Sequence, residues 1–146
     1  MTFSISFLDS PKSEGSLLVG EIALGDFSDR FESSLEHWNR LDYENHWQES
    51  VQRVLQQGKS SCLISSITNP ASANFIFWWP IYVLDDMSIR IQNQMLFLEE
   101  CEPTFDEKRP FMSLRTRETM SEDGFPISEW RVTPNDLSSW LTALTS

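Results

Sequence analysis

The sequence predicts an α+β fold: a single domain, residues 1–146, of antiparallel sheets packed with helices. Three observations carry that prediction. Several short segments either alternate apolar and polar residues or run apolar outright, at the length of strands. Two segments instead carry apolar residues at helical spacing, with start and stop signals around them. The strand-like segments follow one another closely through turn residues, which favours antiparallel neighbours. A chain of 146 residues supplies one hydrophobic core, and apolar and charged fractions of 40% and 23% exclude a disordered chain.

In chain order, Phe3–Leu8 alternates and reads as a strand. Asp9-Ser10-Pro11-Lys12-Ser13-Glu14-Gly15 reads as a loop, and Leu17–Leu24 as a second strand. From Gly25 to Arg40 the pattern is ambiguous, because Phe27, Phe31, Leu35 and Trp38 fit a helical stripe that lacks a start signal. The next helix is clearer. Asp42 serves as N-cap, Tyr43, Trp47, Val51, Val54 and Leu55 form one face, Glu49 and Arg53 pair at i,i+4, and Gly58 closes the C-terminus.

Three strands are expected next, at Ser61–Thr68, Asn74–Leu84 and Ser88–Leu98, turning at Asn69-Pro70-Ala71-Ser72 and at Asp85-Asp86. No residue from Ser60 to Leu84 is charged, in a chain whose net charge is -11. The run Phe75–Leu84 is apolar at both parities, so it is expected to be covered on both faces. Trp78 and Trp79 must then point to opposite sides, and one of them could reach the surface as an interface anchor. Pro80 implies a bulge or a break in the ladder, since it has no N–H to donate. In Ser88–Leu98, Ile89, Ile91, Met95 and Phe97 share one parity against Arg90, Gln92 and Gln94, the mark of a strand with one wet face.

Pro103 ends that strand, and Phe111–Arg117 and Ile127–Val132 are further candidates. Thr133, Pro134 and Asp136 then open a terminal helix whose Leu137, Trp140, Leu141 and Leu144 fall on one stripe. The expected core is Trp47, Val51, Leu55, Phe75, Phe77, Ile89, Ile91, Leu137, Trp140 and Leu141.

Catalytic templates find little support. His37 and His46 are the only histidines and stand without cysteine at ligand spacing, so no metal and no cofactor is expected; both read as helix-surface or interface residues. Cys62 and Cys101 sit in strand candidates and read as buried thiols, and Cys62 lies in the uncharged block, where a thiolate is disfavoured. Acidic pairs are too common among 22 Asp and Glu to mark a hydrolase, and the five glycines form no phosphate loop. No catalytic residue is assigned.

The acidic balance repels nucleic acid and anionic membranes, and no segment is long and apolar enough for a membrane helix. Met1-Thr2-Phe3-Ser4-Ile5-Ser6-Phe7 has neither a basic start nor a small-residue cleavage site, so a cytoplasmic protein is expected. What the charge does attract is a basic protein. Two acidic clusters flank Ser88–Leu98: Asp85 and Asp86 before it, and Glu99, Glu100 and Glu102 after it. The second, joined by Asp106, Glu122 and Asp123, is the favoured contact surface, against the plainer reading that these acids solvate loops.

Asp42-Tyr43 with Trp47, Asn74-Phe75-Ile76-Phe77 with Trp79, and Gln92-Asn93 leading into Phe97-Leu98-Glu99-Glu100-Cys101 resemble an enterobacterial contact-dependent growth inhibition immunity protein (CdiI). Arg115-Thr116, Asp123-Gly124 and Ile127-Ser128-Glu129-Trp130 extend the likeness, which covers roughly Leu35 to Leu141. The resemblance implies two antiparallel sheets with helices, similar to the Whirly fold. It also implies a non-enzymatic inhibitor of the C-terminal toxin domain of CdiA, an RNase acting on ribosomal RNA, bound as a monomer in a 1:1 complex. The alternative function is an acidic adaptor or chaperone for another basic client.

Overall fold

The computed structural model describes residues 2–8 and 16–145. The Asp9–Gly15 loop expected from sequence lies outside the described residues. Among the described residues eight strands and two α-helices run in the order β1 (Phe3–Phe7), β2 (Leu17–Leu24), β3 (Phe27–Ser34), α1 (Arg40–Gln57), β4 (Ser61–Ser66), β5 (Phe75–Val83), β6 (Ile89–Gln92), β7 (Gln94–Phe97), β8 (Glu129–Val132) and α2 (Pro134–Thr145). They form two antiparallel sheets, β1-β2-β3 and β4-β5-β6-β8, with β7 paired to β5. The α+β expectation holds.

In the first sheet Phe3, Ile5 and Phe7 stand opposite Leu24, Ile22 and Gly20, so the alternating residues of β1 and β2 bury one common face. The ambiguous segment after Gly25 turns out to be a strand. Phe27 and Phe31 are four apart, a spacing that suits period two as well as a helix, and β3 pairs with β2 along its whole length. Gly25 (φ 67°) supplies the left-handed backbone that this tight hairpin turn needs. Gly20 is needed for a different reason: a Cβ there would stand 2.5 Å from Phe31 Cε2, whose ring lies across it.

Helix α1 starts one turn earlier than Asp42 suggests. Asn39 is the N-cap: its side chain accepts the Asp42 N–H (2.8 Å) while the Asp42 carboxylate accepts the Asn39 N–H (2.9 Å). Asp42 therefore serves at N3 of a capping box. Gly58 (φ 63°) closes the helix by donating to Val54 O. The expected Glu49–Arg53 pair gives way to other partners, because Arg53 donates to Ser60 O and lays its guanidinium 3.5 Å over the Phe111 ring.

β5 is the long central strand. One side pairs with β4 and the other with β6 and β7 in a single register, interrupted opposite Pro80. The missing N–H thus splits the expected Ser88–Leu98 strand in two at Asn93 without shifting its pairing, while the irregularity in register lies on the β4 side between Ile64 and Ser66. Phe111–Arg117 is not a strand: a 3₁₀ turn (Pro110–Ser113) begins it and irregular chain follows. That chain still packs, with Phe105 and Leu114 half-buried against the core and Phe111 half-buried under the Arg53 guanidinium.

The two sheets meet where Trp79 and Trp130 approach at 5.8 Å and Phe27 of β3 stacks on Trp130 at 4.3 Å. Helix α2 opens with the reciprocal Thr133–Asp136 box and rests Trp140 edge-on against Phe3 at 5.4 Å. Leu137 and Trp140 are buried, but Leu141 is half-buried and Leu144 exposed, so the helix outruns the core it covers.

Candidate functional site

The face of β5 that carries Phe75, Phe77, Trp79 and Ile81 changes character halfway along. Trp79 and Ile81 are 2% and 0% exposed, whereas Phe75 and Phe77 are 38% and 42% exposed. The same change crosses to the neighbouring strands: Ile89 and Ile91 of β6 are buried, but Met95 and Phe97 of β7, on the same parity, are each 44% exposed. Residues Phe75, Phe77, Met95 and Phe97 are direct cross-strand partners, Phe75 to Phe97 and Phe77 to Met95. They form one apolar patch beyond the reach of the first sheet. This corrects the expectation that Phe75–Leu84 is covered on both faces throughout, and it removes Phe75 and Phe77 from the core. It also settles the tryptophan pair: Trp78 and Trp79 are both buried, so neither is a surface anchor.

Beside the patch runs a groove of about 450 Å³ between β3 and the second sheet, lined by Leu17, Asp29, Phe31, Glu32, Phe77 and Asn93 among others. A second recess joins Met95 and Asn93 to Arg115, Thr116 and Ile127. Arg115 is ion-paired to Glu100 at 3.3 Å, which brings one acid of the expected cluster to the edge of the patch. Glu99 and Glu100 lie in the 3₁₀ turn directly after Phe97 and are exposed.

The other acids disperse. Glu102 is exposed beyond that turn. Asp106 caps its own loop, accepting from Lys108 N (2.9 Å) and Arg109 Nε (3.3 Å), which keeps its carboxyl below the usual range. The adjacent Glu107 reaches His37 ahead of α1, so this loop belongs to the helix side of the molecule. Glu122 and Asp123 occupy an exposed turn closed by Ser121 N–H to Phe125 O (2.8 Å). Asp85 and Asp86 lie in the β5–β6 turn, where Asp86 accepts from Ser88 N (2.9 Å) and Ser88 Oγ (2.6 Å); those bonds lower its pKa. Among the described residues no hydrogen bond or ion pair links the Glu99-Glu100, Asp106 and Glu122-Asp123 groups.

His46 corrects another expectation. It is buried, and its Nε2 accepts the Ile64 N–H at 2.8 Å, so Nδ1 carries the proton toward Ser50 Oγ at 3.4 Å. The next residue, Trp47, donates Nε1–H to Ile64 O at 2.8 Å. Two side chains of α1 thus satisfy both backbone groups of Ile64 on the open side of edge strand β4, where an unpaired edge would otherwise invite another chain. Burial lowers the His46 pKa to about 3, so the ring is neutral at ordinary pH.

A part-buried network ties the irregular segment to the sheet. Glu129 accepts from Arg117 Nε (2.8 Å) and from Gln92 Nε2 (2.7 Å), and Gln92 also donates to Glu118 O at 2.9 Å. The Arg117 bonds hold the Glu129 carboxyl below its usual range. Composition gave no hint of this network, since its members are spread from β6 to β8. Burial pushes the Cys62 thiol up, which keeps it protonated and inert, and Cys101 sits half-buried after a 3₁₀ turn, outside any strand. Among the described residues His, Cys, Asp and Glu do not gather in threes that would hold a metal ion. Among the described residues no helix is long and apolar enough to cross a membrane. The arrangement offers a rigid aromatic surface with an acidic margin, which suits binding.

The family described as CdiI N-terminal domain matches residues 33–140. The chain is 32% identical to the immunity protein CdiI of Enterobacter cloacae subsp. cloacae over 132 residues, 90% of each sequence. Its structure resembles a chain of the CdiA-CT/CdiI toxin and immunity complex from Enterobacter cloacae, with a TM-score of 0.84, 31% identity and 99% of both chains covered.

Proposed function

We propose that this chain, which belongs to the CdiI immunity-protein family, binds the C-terminal toxin domain of a cognate CdiA effector and blocks it by occupancy, with no catalysis of its own. The observation that carries the reading is the agreement in fold over 99% of both chains with a protein solved in a toxin and immunity complex. At 31% identity the two share an architecture and differ at most positions, so on this reading each is suited to its own toxin.

The toxin domain, on this reading, is a basic nuclease that acts on RNA in the cytoplasm. A net charge of -11 supports it, because a domain built to hold phosphates presents Lys and Arg to any acidic surface. Carboxylates then occupy the field meant for RNA, and the bound inhibitor denies the substrate access. Protection against a few toxin molecules requires a dissociation constant of roughly nanomolar or lower, about -12 kcal/mol.

The test is direct. The toxin domain encoded with this chain is expressed in cells with and without it, and the purified pair is titrated by calorimetry at low and high salt. Growth rescue, a 1:1 complex and binding that weakens with salt are expected, together with loss of RNA cleavage in vitro. A chain that binds some other basic protein tightly but neither binds nor neutralises the toxin domain would be an adaptor, and the immunity reading would be wrong.

A further inference from the structure

We infer that the apolar patch of Phe75, Phe77, Met95 and Phe97 is the surface on which the basic toxin domain docks, with the groove beside β3 receiving one of its Lys or Arg side chains. This rests on the function proposed above and goes beyond it by assigning the contact to a sheet face, where the sequence points to acidic loops and to one tryptophan of the Trp78-Trp79 pair.

Single exposed apolar residues are ordinary on a protein surface, but four cross-strand neighbours on one sheet face are not scatter. Phenylalanine and methionine are also the residue types that interface centres favour. The rings are already ordered: Phe75 meets Phe77 edge-on at 5.3 Å and Phe97 at 6.3 Å, and all four residues sit in strands. A partner that covers them therefore immobilises little.

The margin says what kind of partner fits. Asp29, Arg30 and Glu32 of β3 line the groove, and Glu99 and Glu100 follow Phe97. The cations close by are tied to carboxylates, Arg30 to Glu21 at 3.6 Å and Arg115 to Glu100 at 3.3 Å. A second copy docking face to face would bring two such acidic margins together, which costs binding energy; a basic domain gains from the same margin. The groove combines Leu17, Phe31 and Phe77 with Asp29, Glu32 and Arg30, whose guanidinium is paired with Glu21. An apolar wall for methylenes and carboxylates for a cationic head match a lysine or arginine side chain.

The experiment measures binding of the cognate toxin domain to immobilised wild-type chain and to the Met95→Lys, Phe97→Ala and Glu32→Lys variants, each checked for folding by thermal melt. Met95→Lys and Phe97→Ala should each weaken binding by about 30-fold, mainly through faster dissociation, and Glu32→Lys by a smaller factor through slower association. Glu49→Lys, on the α1 side of the molecule, should bind within about twofold of wild type. Should a patch variant fail to fold, hydrogen exchange on the wild-type complex decides: β5 and β7 amides must gain protection on binding. Wild-type binding judges the functional reading, and variant binding judges the patch. If wild type binds the toxin and the folded patch variants bind equally well, or β5 and β7 gain no protection, the inference is overturned. If wild type does not bind at all, it falls together with the function. A wild-type dimer that Met95→Lys dissociates would assign the face to a second copy and overturn it as well.

Discussion

Lowering the pH should destabilise this protein through His46 before its carboxylates titrate. The ring accepts a backbone N–H at Nε2, and a backbone N–H can only donate, so protonating Nε2 places donor against donor in a buried site. The groove nearby carries Glu49, Glu107 and Lys108, yet burial alone drives the shift from 6.5 to about 3. The sign follows from linkage. Between those two values the unfolded chain binds a proton that the folded chain refuses, so this contribution is fully present above pH 6.5 and is lost as the pH falls. At about 1.4 kcal/mol per unit, stability at pH 5 should be lower by about 2 kcal/mol than above the unfolded pKa. Urea melts at closely spaced pH between 7 and 5 read this as a slope. His46→Gln, whose amide oxygen can still accept from Ile64, should remove most of the slope at some cost in stability at pH 7. Parallel wild-type and His46→Gln curves over that interval would refute the reasoning, because His46 would then not be a buried neutral acceptor.

Other substitutions test the packing. Trp140→Ala should cost about 3–5 kcal/mol, since the indole is 8% exposed and its removal opens a cavity between α2 and Phe3; a loss below about 1 kcal/mol in denaturant melts would mean that α2 is not docked. Gly20→Ala should cost about 1–3 kcal/mol by driving its methyl into the Phe31 ring, and Phe31→Leu in the same chain should recover part of the loss. Asn39→Ala should cost about 1 kcal/mol by leaving the Asp42 N–H without its cap, while Asp42→Asn, which keeps an acceptor at N3, should cost less.

The helices were legible because their signals are local. Gly58 and the Thr133-Pro134-Asp136 opening act within one turn, and the Tyr43–Trp47–Val51–Val54 stripe needs only a periodicity. Asn39 was missed because either Asn39 or Asp42 can start a helix, and only the reciprocal pair of bonds decides between them. β3 was illegible because residues spaced by four serve both periods. Burial on β5 was misread for a less local reason: which half of an apolar strand stays dry depends on where a different sheet ends. The same limit hid the patch, since Phe75 and Phe77 read as core in a run that is buried farther along. Composition revealed the acids but not their neighbours, and only Glu100 could be tied to the patch once Arg115 was seen beside Met95.

Charge and apolar surface should act on different rate constants, and the fold separates the acids well enough to see it. Asp85 and Asp86 follow the C-terminal end of β5, whereas the patch lies at its N-terminal half, with Glu99 and Glu100 next to it. Nine residues of strand put those ends roughly 25–30 Å apart, about three screening lengths at physiological salt. A toxin approaching the patch therefore feels the Glu99-Glu100 side strongly and the Asp85-Asp86 turn weakly. Reversing Glu100, Glu102 and Asp106 to Lys should lower the association rate and flatten its dependence on salt while the dissociation rate changes little, since none of the three is buried. Asp106 sits on the α1 side, so restoring it alone should recover the least of the three. Reversing Asp85 and Asp86 should leave association near wild type. If the 85–86 reversal abolishes fast association and the triple reversal does not, the toxin approaches from the opposite end of β5, and the acidic margin of the patch has no part in its capture.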